Sequence, residues 1–188
     1  MRASSHRQLG YFLAQRYLPK LPASYLTAFL TGCTQPDKNP TTYLKGSFRN
    51  RWLHGHDYLS AKRYLFRLAR RLQCRKNWGM MDYYKLGKLL HYIADAFTYA
   101  HSDRFPGGFF AHRRYEQALH LSFLPSLKEQ AKNFPPIQRD IAASVEHYHR
   151  IYLNTPPSIS TDIDYCIGVS GMVMKMLTNP IKSKIFCI

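Results

Sequence analysis

The chain has 188 residues, enough for one domain with a substantial core, and its 27 Lys and Arg against 11 Asp and Glu give a formal net charge of +16. This charge favours binding to polyanions, namely phosphodiesters, nucleic acid or an anionic membrane face. The charge alone does not indicate which of them is the partner. No stretch approaches the roughly 20 apolar residues of a membrane span, and Gln15 and Arg16 interrupt the apolar run near the start, which makes it a poor secretory signal. We therefore expect a cytoplasmic protein that can lie peripherally on a membrane.

Helical periodicity, interrupted by helix-breaking residues, predicts an all-α fold arranged as a single-domain multi-helix bundle over residues 1–188. In chain order, the predicted helices cover about 5–17, 22–30, 58–73, 81–100, 110–121, 137–152 and 161–177. The second helix is expected to end at Gly32. A loop over 33–40 follows, because Pro36, Asp37, Asn39 and Pro40 are typical turn residues.

Five potential metal ligands lie in the predicted helices and turn between residues 91 and 116. They are His91 and Asp95, then His101, then His112 and Glu116. A spacing of four residues places both side chains of a pair on one face of a helix, with Cβ atoms about 5–6 Å apart. Imidazole nitrogens and carboxylate oxygens are suitable zinc ligands, and a short loop can carry a further His into the same site. The pattern therefore predicts the core of a multinuclear zinc site.

Each pair taken alone also has a structural interpretation. His91 and Asp95 lie in a mostly apolar segment, where they could form a satisfied hydrogen bond within the core. His112 and Glu116 lie in an arginine-rich segment, where they could be a solvated surface pair worth only a few tenths of a kcal/mol. Finding both spacings together favours the metal site, because chance would have to supply both.

Further candidates lie upstream in segments rich in turn residues. Asp37 follows Pro36, and His54 and His56 flank a glycine. His6 lies near the start of the chain. Loop Asp and His residues usually cap helices or face solvent, so none of these residues identifies a site by itself.

The order and spacing of these residues resemble the zinc-dependent phospholipase C family, which shares its fold with single-strand-specific zinc nucleases. The resemblance extends over roughly residues 5–120 and rests on Pro36-Asp37, Gly55-His56, His91-x-x-x-Asp95, His101 and His112-x-x-x-Glu116. It implies an all-α fold with a metal cluster at the base of a cleft.

The resemblance also implies a ligand set for two or three zinc ions. One zinc would be held by Asp37, His56, His91 and Asp95, a second by His101, His112 and Glu116, and a third by His6 with Asp95 as a bridge. In the secreted members of the family the third zinc also uses an N-terminal Trp, which this chain lacks. His54 stays open as the alternative to His56.

The implied activity is a metal-dependent hydrolysis of phosphodiester bonds, with a phospholipid as the leading substrate. Asp37 is the candidate catalytic residue, as ligand, as general base, or as both. Arg104, Arg113 and Arg114 lie near the cluster in sequence and could assist phosphate binding. Two alternatives stay open: a zinc nuclease acting on single-stranded nucleic acid, and a non-catalytic protein that binds anionic membranes with zinc supporting only its fold.

Overall fold

The computed structural model describes residues 1–38, 58–127 and 132–178, which are helical and contain no strand, so the all-α prediction is confirmed. A 3₁₀ turn at Tyr99–His101 follows the fourth helix. The helices in these ranges are α1 (Ala3–Tyr17), α2 (Ala23–Lys38), α3 (Tyr58–Gln73), α4 (Met80–Ala96), α5 (Phe109–Ser126), α6 (Ile141–Asn154) and α7 (Ile159–Thr178).

Helix α4 lies at the centre of the bundle and packs against α1, α2, α3 and α7. Every residue from Leu86 to Ala96 is buried, as expected for a helix that is apolar on nearly all sides. This segment carries His91 and Asp95, each only 1% exposed. Two groups that water would normally solvate are thus held in the interior, where they require polar or ionic partners.

Helices α2 and α4 approach each other most closely at Gly32 and Gly87. A Cβ atom on Gly32 would lie 2.1 Å from the carbonyl oxygen of Tyr84, and one on Gly87 would lie 2.1 Å from the carbonyl oxygen of Phe29. The obstructing atoms belong to the backbone, which cannot rotate away. Glycine at both positions is therefore what lets the two helices pack at this distance.

This packing corrects the prediction for the second helix. The predicted end at Gly32 is wrong, because Gly32 serves the contact with α4 and α2 continues to Lys38. Pro36 lies inside the last turn of α2, where its missing N–H removes a single hydrogen bond. Asp37 consequently lies on a helix and not in the predicted loop.

Other boundaries differ from the sequence-based expectation by a few residues. Helix α4 ends at Ala96, earlier than predicted, because Thr98 adopts an extended backbone (φ −115°, ψ 117°) before the 3₁₀ turn that carries His101. Helix α5 continues to Ser126 with Pro125 in its last turn, and α7 begins at Ile159. In the described ranges, none of the helices has an apolar stretch sufficient to cross a bilayer.

Candidate metal centre

Seven of the predicted ligand residues converge from α1, α2, α4, the 3₁₀ turn and α5. They form two groups, and within each group the potential ligand atoms lie within 4.8 Å of one another. The first group is His6, Asp37, His91 and Asp95, and the second is His101, His112 and Glu116. The four residues of the first group come from three different helices, α1, α2 and α4, so only the folded chain can assemble it.

Asp95 lies between the two groups. Its Oδ2 atom is 3.1 Å from His91 Nε2, and its Oδ1 atom is 3.1 Å from His6 Nε2. The same Oδ1 atom is 3.8 Å from His101 Nε2 in the second group. One carboxylate therefore faces imidazoles of both groups with its two oxygen atoms.

The backbone of α2 fixes the orientation of His91. The Nδ1–H group of His91 donates to the carbonyl oxygen of Cys33 at 2.9 Å, so a neutral imidazole carries its lone pair on Nε2. This Nε2 atom is 3.5 Å from Asp37 Oδ1. The His6 ring stacks on the His91 ring, with centroids 3.9 Å apart. The α2–α4 contact thus aims one nitrogen of His91 at the neighbouring carboxylates.

The second group lies on the more exposed side of the centre. The Oε1 atom of Glu116 is 3.2 Å from His101 Nε2 and 3.4 Å from His112 Nε2. Side-chain exposure is 0% for His91 and Asp95, but reaches 17% for Glu116 and 23% for His112. The centre is therefore closed at α4 and opens beside α5, with a second exposed position at Asp37 on α2, whose side chain is 21% exposed.

The α-amino group of Met1 lies between the two groups. It is 2.8 Å from Asp95 Oδ1, 3.0 Å from Glu116 Oε1 and 2.5 Å from His101 Nε2. Burial alone would lower the pKa of this group, but the two carboxylates raise it to about 11. A positive charge is therefore well stabilised at this point, between two carboxylates and an imidazole.

The protonation states of His6 and Asp95 suit metal binding. Burial, assisted by the neighbouring His91, lowers the pKa of His6 to about 3, so its imidazole is neutral at pH 7. Burial alone would raise the pKa of Asp95, but the Met1 ammonium and His101 hold it well below its usual range. Neutral imidazoles and ionised carboxylates are the forms that bind zinc, and the residue types of the centre fit that metal. Burial alone would lower the pKa of His91, but Asp95 raises it, so zinc binding at His91 would displace a proton.

The predicted ligand His56 and its alternative His54 lie outside the described residues. A further histidine near the centre is His120, one helical turn after Glu116 on α5, whose Nδ1 atom lies 2.8 Å from Ser5 Oγ. This contact joins α5 to α1 one residue before His6, and so helps to position both elements.

Asp162 is a buried residue beside the centre that the sequence did not single out. Its Oδ2 atom accepts hydrogen bonds from the Tyr99 backbone N–H at 2.8 Å and from the Tyr115 hydroxyl at 3.0 Å, and its Oδ1 atom accepts from the Tyr152 hydroxyl at 2.8 Å. Tyr99 begins the turn that carries His101, and Tyr115 precedes Glu116. Asp162 is thus a positioning residue for the second group, and no local motif around it signalled this role.

We expect Asp162→Ala to lower the free energy of unfolding by several kcal/mol, since each buried donor left without a partner costs about 1–3 kcal/mol. Zinc affinity should fall in the second group, because the turn and α5 lose their common anchor. The measurements are denaturant unfolding and zinc titration. Asp164→Ala is the control: Asp164 lies on the same helix as Asp162 but pairs with Lys132, whose side chain is 71% exposed, and such pairs contribute at most about 1 kcal/mol. Equal effects of the two variants would contradict the positioning role.

The described geometry defines a class of protein: an all-α bundle in which clustered His and carboxylate side chains form a centre suited to zinc. The family model for zinc-dependent phospholipase C matches residues 5–159. The chain therefore belongs to the zinc-dependent phospholipase C family, and the match extends beyond the roughly 5–120 expected from the motifs. No curated protein and no solved structure matches the chain.

Proposed function

We propose that the protein is a hydrolase that cleaves a phosphodiester bond of a phospholipid with the help of two or three zinc ions. The observation that carries the proposal is the position of Asp95, whose carboxylate faces imidazoles of both groups within 3.1–3.8 Å. A carboxylate in this position can bridge neighbouring cations. Membership of the family supports zinc as the metal and a phospholipid as the substrate class.

The proposed ligands follow the two groups. His6, Asp37, His91 and Asp95 would hold metal at the buried end of the centre, and His101, His112 and Glu116 at the open end. Bound zinc would place positive charge beside the phosphate oxygens. It would also lower the pKa of a bound water molecule, which makes that water a stronger nucleophile near neutral pH. His56 is retained as a proposed ligand from the sequence resemblance alone.

Asp37 is the proposed general base. Its side chain is 21% exposed, more than any other carboxylate or imidazole of its group, so water can reach it. Burial raises its pKa to about 6, although His91 acts in the opposite direction. This pKa describes the metal-free centre, and an Asp37 oxygen that is not bound to zinc could accept a proton from the attacking water.

The overall reaction adds water across one P–O bond. The oxygen of water bonds to phosphorus, the bond from phosphorus to the glycerol oxygen breaks, and the leaving oxygen gains a proton. The products are a diacylglycerol and a phosphorylated head group. A nuclease using the same centre would instead release nucleotides from single-stranded nucleic acid, so the two substrates distinguish the two activities.

The proposal can be tested by two measurements. One is the zinc content per chain, determined by elemental mass spectrometry, and the other is the rate of hydrolysis of phosphatidylcholine and of single-stranded DNA. The protein should hold two or three zinc ions and release diacylglycerol. In Glu116→Gln, zinc affinity at one site should fall by more than about 100-fold, the upper end for loss of a supporting partner, while the other site changes less. Activity should fall with zinc occupancy.

Glu146→Gln is the matched control, because Glu146 pairs with Lys62 at the surface of α6 and α3 and lies outside both groups. It should leave zinc content and activity unchanged. Unchanged zinc affinity in Glu116→Gln would contradict the second-site assignment. Absence of stoichiometric zinc after reconstitution would contradict the catalytic proposal and favour a structural role for the His and carboxylate pattern.

A further inference from the structure

Two adjacent phenylalanines project into solvent at the start of α5. Phe109 is 57% exposed and Phe110 is 82% exposed, whereas most large apolar side chains of a folded protein are buried. Their rings lie 5.8 Å apart at 75°, so they form one continuous apolar surface. We call this surface, Phe109 and Phe110, the aromatic tip.

Two exposed arginines, Arg113 and Arg114, lie one helical turn after the aromatic tip on α5, and the guanidinium carbon of Arg113 lies 5.6 Å from the centroid of the Phe109 ring. Among residues 103–114 the acidic residue is Asp103, against three arginines, so this segment carries a net positive charge. Exposed aromatic rings with arginines beside them suit the boundary of an anionic bilayer, where rings enter the acyl region and guanidinium groups meet lipid phosphates.

The aromatic tip lies on the side where the metal centre opens. Phe109 is one helical turn before His112, and residues three apart on a helix are neighbours on its surface. His112 and Glu116 are the most exposed members of the second group, and the Phe105 ring lies 6.1 Å from the His112 ring. A flat surface that contacts the tip would therefore also face the opening.

We propose that the aromatic tip inserts into the surface of an anionic phospholipid bilayer and brings the opening of the metal centre against the lipid head groups. The consequence for catalysis rests on the proposed function, but the membrane contact itself does not require it. Phe110 has the larger exposed surface and enters deeper, while Arg113 and Arg114 remain at the level of the phosphates.

The test is co-sedimentation of the zinc-loaded protein with vesicles of phosphatidylcholine, or of equal parts phosphatidylcholine and phosphatidylserine. The Phe109→Ser/Phe110→Ser variant should bind the mixed vesicles at least about tenfold more weakly, because two apolar side chains no longer leave water. Met81→Ser is the control: Met81 is 59% exposed at the start of α4, the end of that helix remote from His91 and Asp95, and its loss should leave binding unchanged. Arg113→Gln/Arg114→Gln should weaken binding to the mixed vesicles and reduce its dependence on salt.

Activity assays separate this proposal from the proposed function. The Phe109→Ser/Phe110→Ser variant should lose hydrolysis of vesicle lipid but retain zinc content and hydrolysis of a monomeric short-chain phosphodiester. Tip-dependent vesicle binding by a protein that hydrolyses neither substrate would support the docking surface and contradict the proposed function. Vesicle binding equal in the variant and the original chain would overturn the docking surface, as would tip-dependent binding of single-stranded DNA in the absence of vesicle binding.

Discussion

Replacement of Asp95 by Ala is expected to release metal from both groups and to lower phosphodiester hydrolysis by at least about 10³-fold. Both oxygens of this carboxylate face imidazoles, with Oδ2 toward His91 and Oδ1 toward His6 and His101. Loss of one electrostatic donor in an active site costs about 10²–10³-fold, and Asp95 is proposed to contact more than one ion. The measurements are zinc content per chain and the rate of diacylglycerol release.

Loss of Asp95 also removes the buried partner of the Met1 ammonium, so the folded state must be verified by circular dichroism. Asp95→Asn serves as the near-isosteric variant, which keeps the volume and removes the charge. Asp82→Asn is the control on the same helix, because Asp82 is buried at the opposite end of α4, where it accepts a hydrogen bond from the Gly79 N–H. It should keep full zinc content. A folded Asp95→Ala variant with unchanged zinc content would show that the bridging assignment is wrong.

Replacement of Gly87 by Ala is expected to lower the free energy of unfolding by about 3 kcal/mol or more, since overpacking typically costs 1–3 kcal/mol and here the obstruction is backbone. The added Cβ would lie 2.1 Å from the Phe29 carbonyl oxygen and 2.7 Å from the Cys33 nitrogen. Alanine favours a helix over glycine by about 1 kcal/mol, too little to offset separation of the two helices. For a chain of this length the melting temperature should fall by roughly 6–12 °C, measured by thermal unfolding.

The same substitution should also weaken metal binding. Separation of α2 from α4 moves the Cys33 carbonyl away from His91 Nδ1 and moves Asp37 away from His91 Nε2. Gly79→Ala is the matched control, because a Cβ at Gly79 would meet no atom within 4 Å. Because Gly79 is the N-cap of α4, where alanine is less favourable than glycine, the stability of this variant should fall by about 1 kcal/mol at most, well below the effect at Gly87. If Gly87→Ala were as stable as this control, the described close approach of the helices would be wrong.

The sequence determined the helical class and the local pairs of the centre. An i, i+4 spacing fixes His91 beside Asp95 and His112 beside Glu116 wherever the segment is helical, because 3.6 residues make one turn. The helix over Tyr58–Gln73 was predicted with the same bounds as observed, since its apolar and basic residues alternate with clear helical periodicity. These features depend on neighbours in the chain, and local geometry is sufficient to predict them.

The tertiary structure alone decided where the remaining groups lie. His6, Asp37 and His91 meet because α1 and α2 pack on α4, and the same packing overrides Gly32 as a helix end. Asp162 positions the second group through hydrogen bonds that span 47 and 63 residues of sequence, to Tyr115 and Tyr99. Side-chain exposure, which distinguishes the closed end of the centre from its opening beside α5, likewise depends on which helices cover which faces. Such long-range contacts follow from the packing of whole helices, and local spacing in the sequence does not encode them.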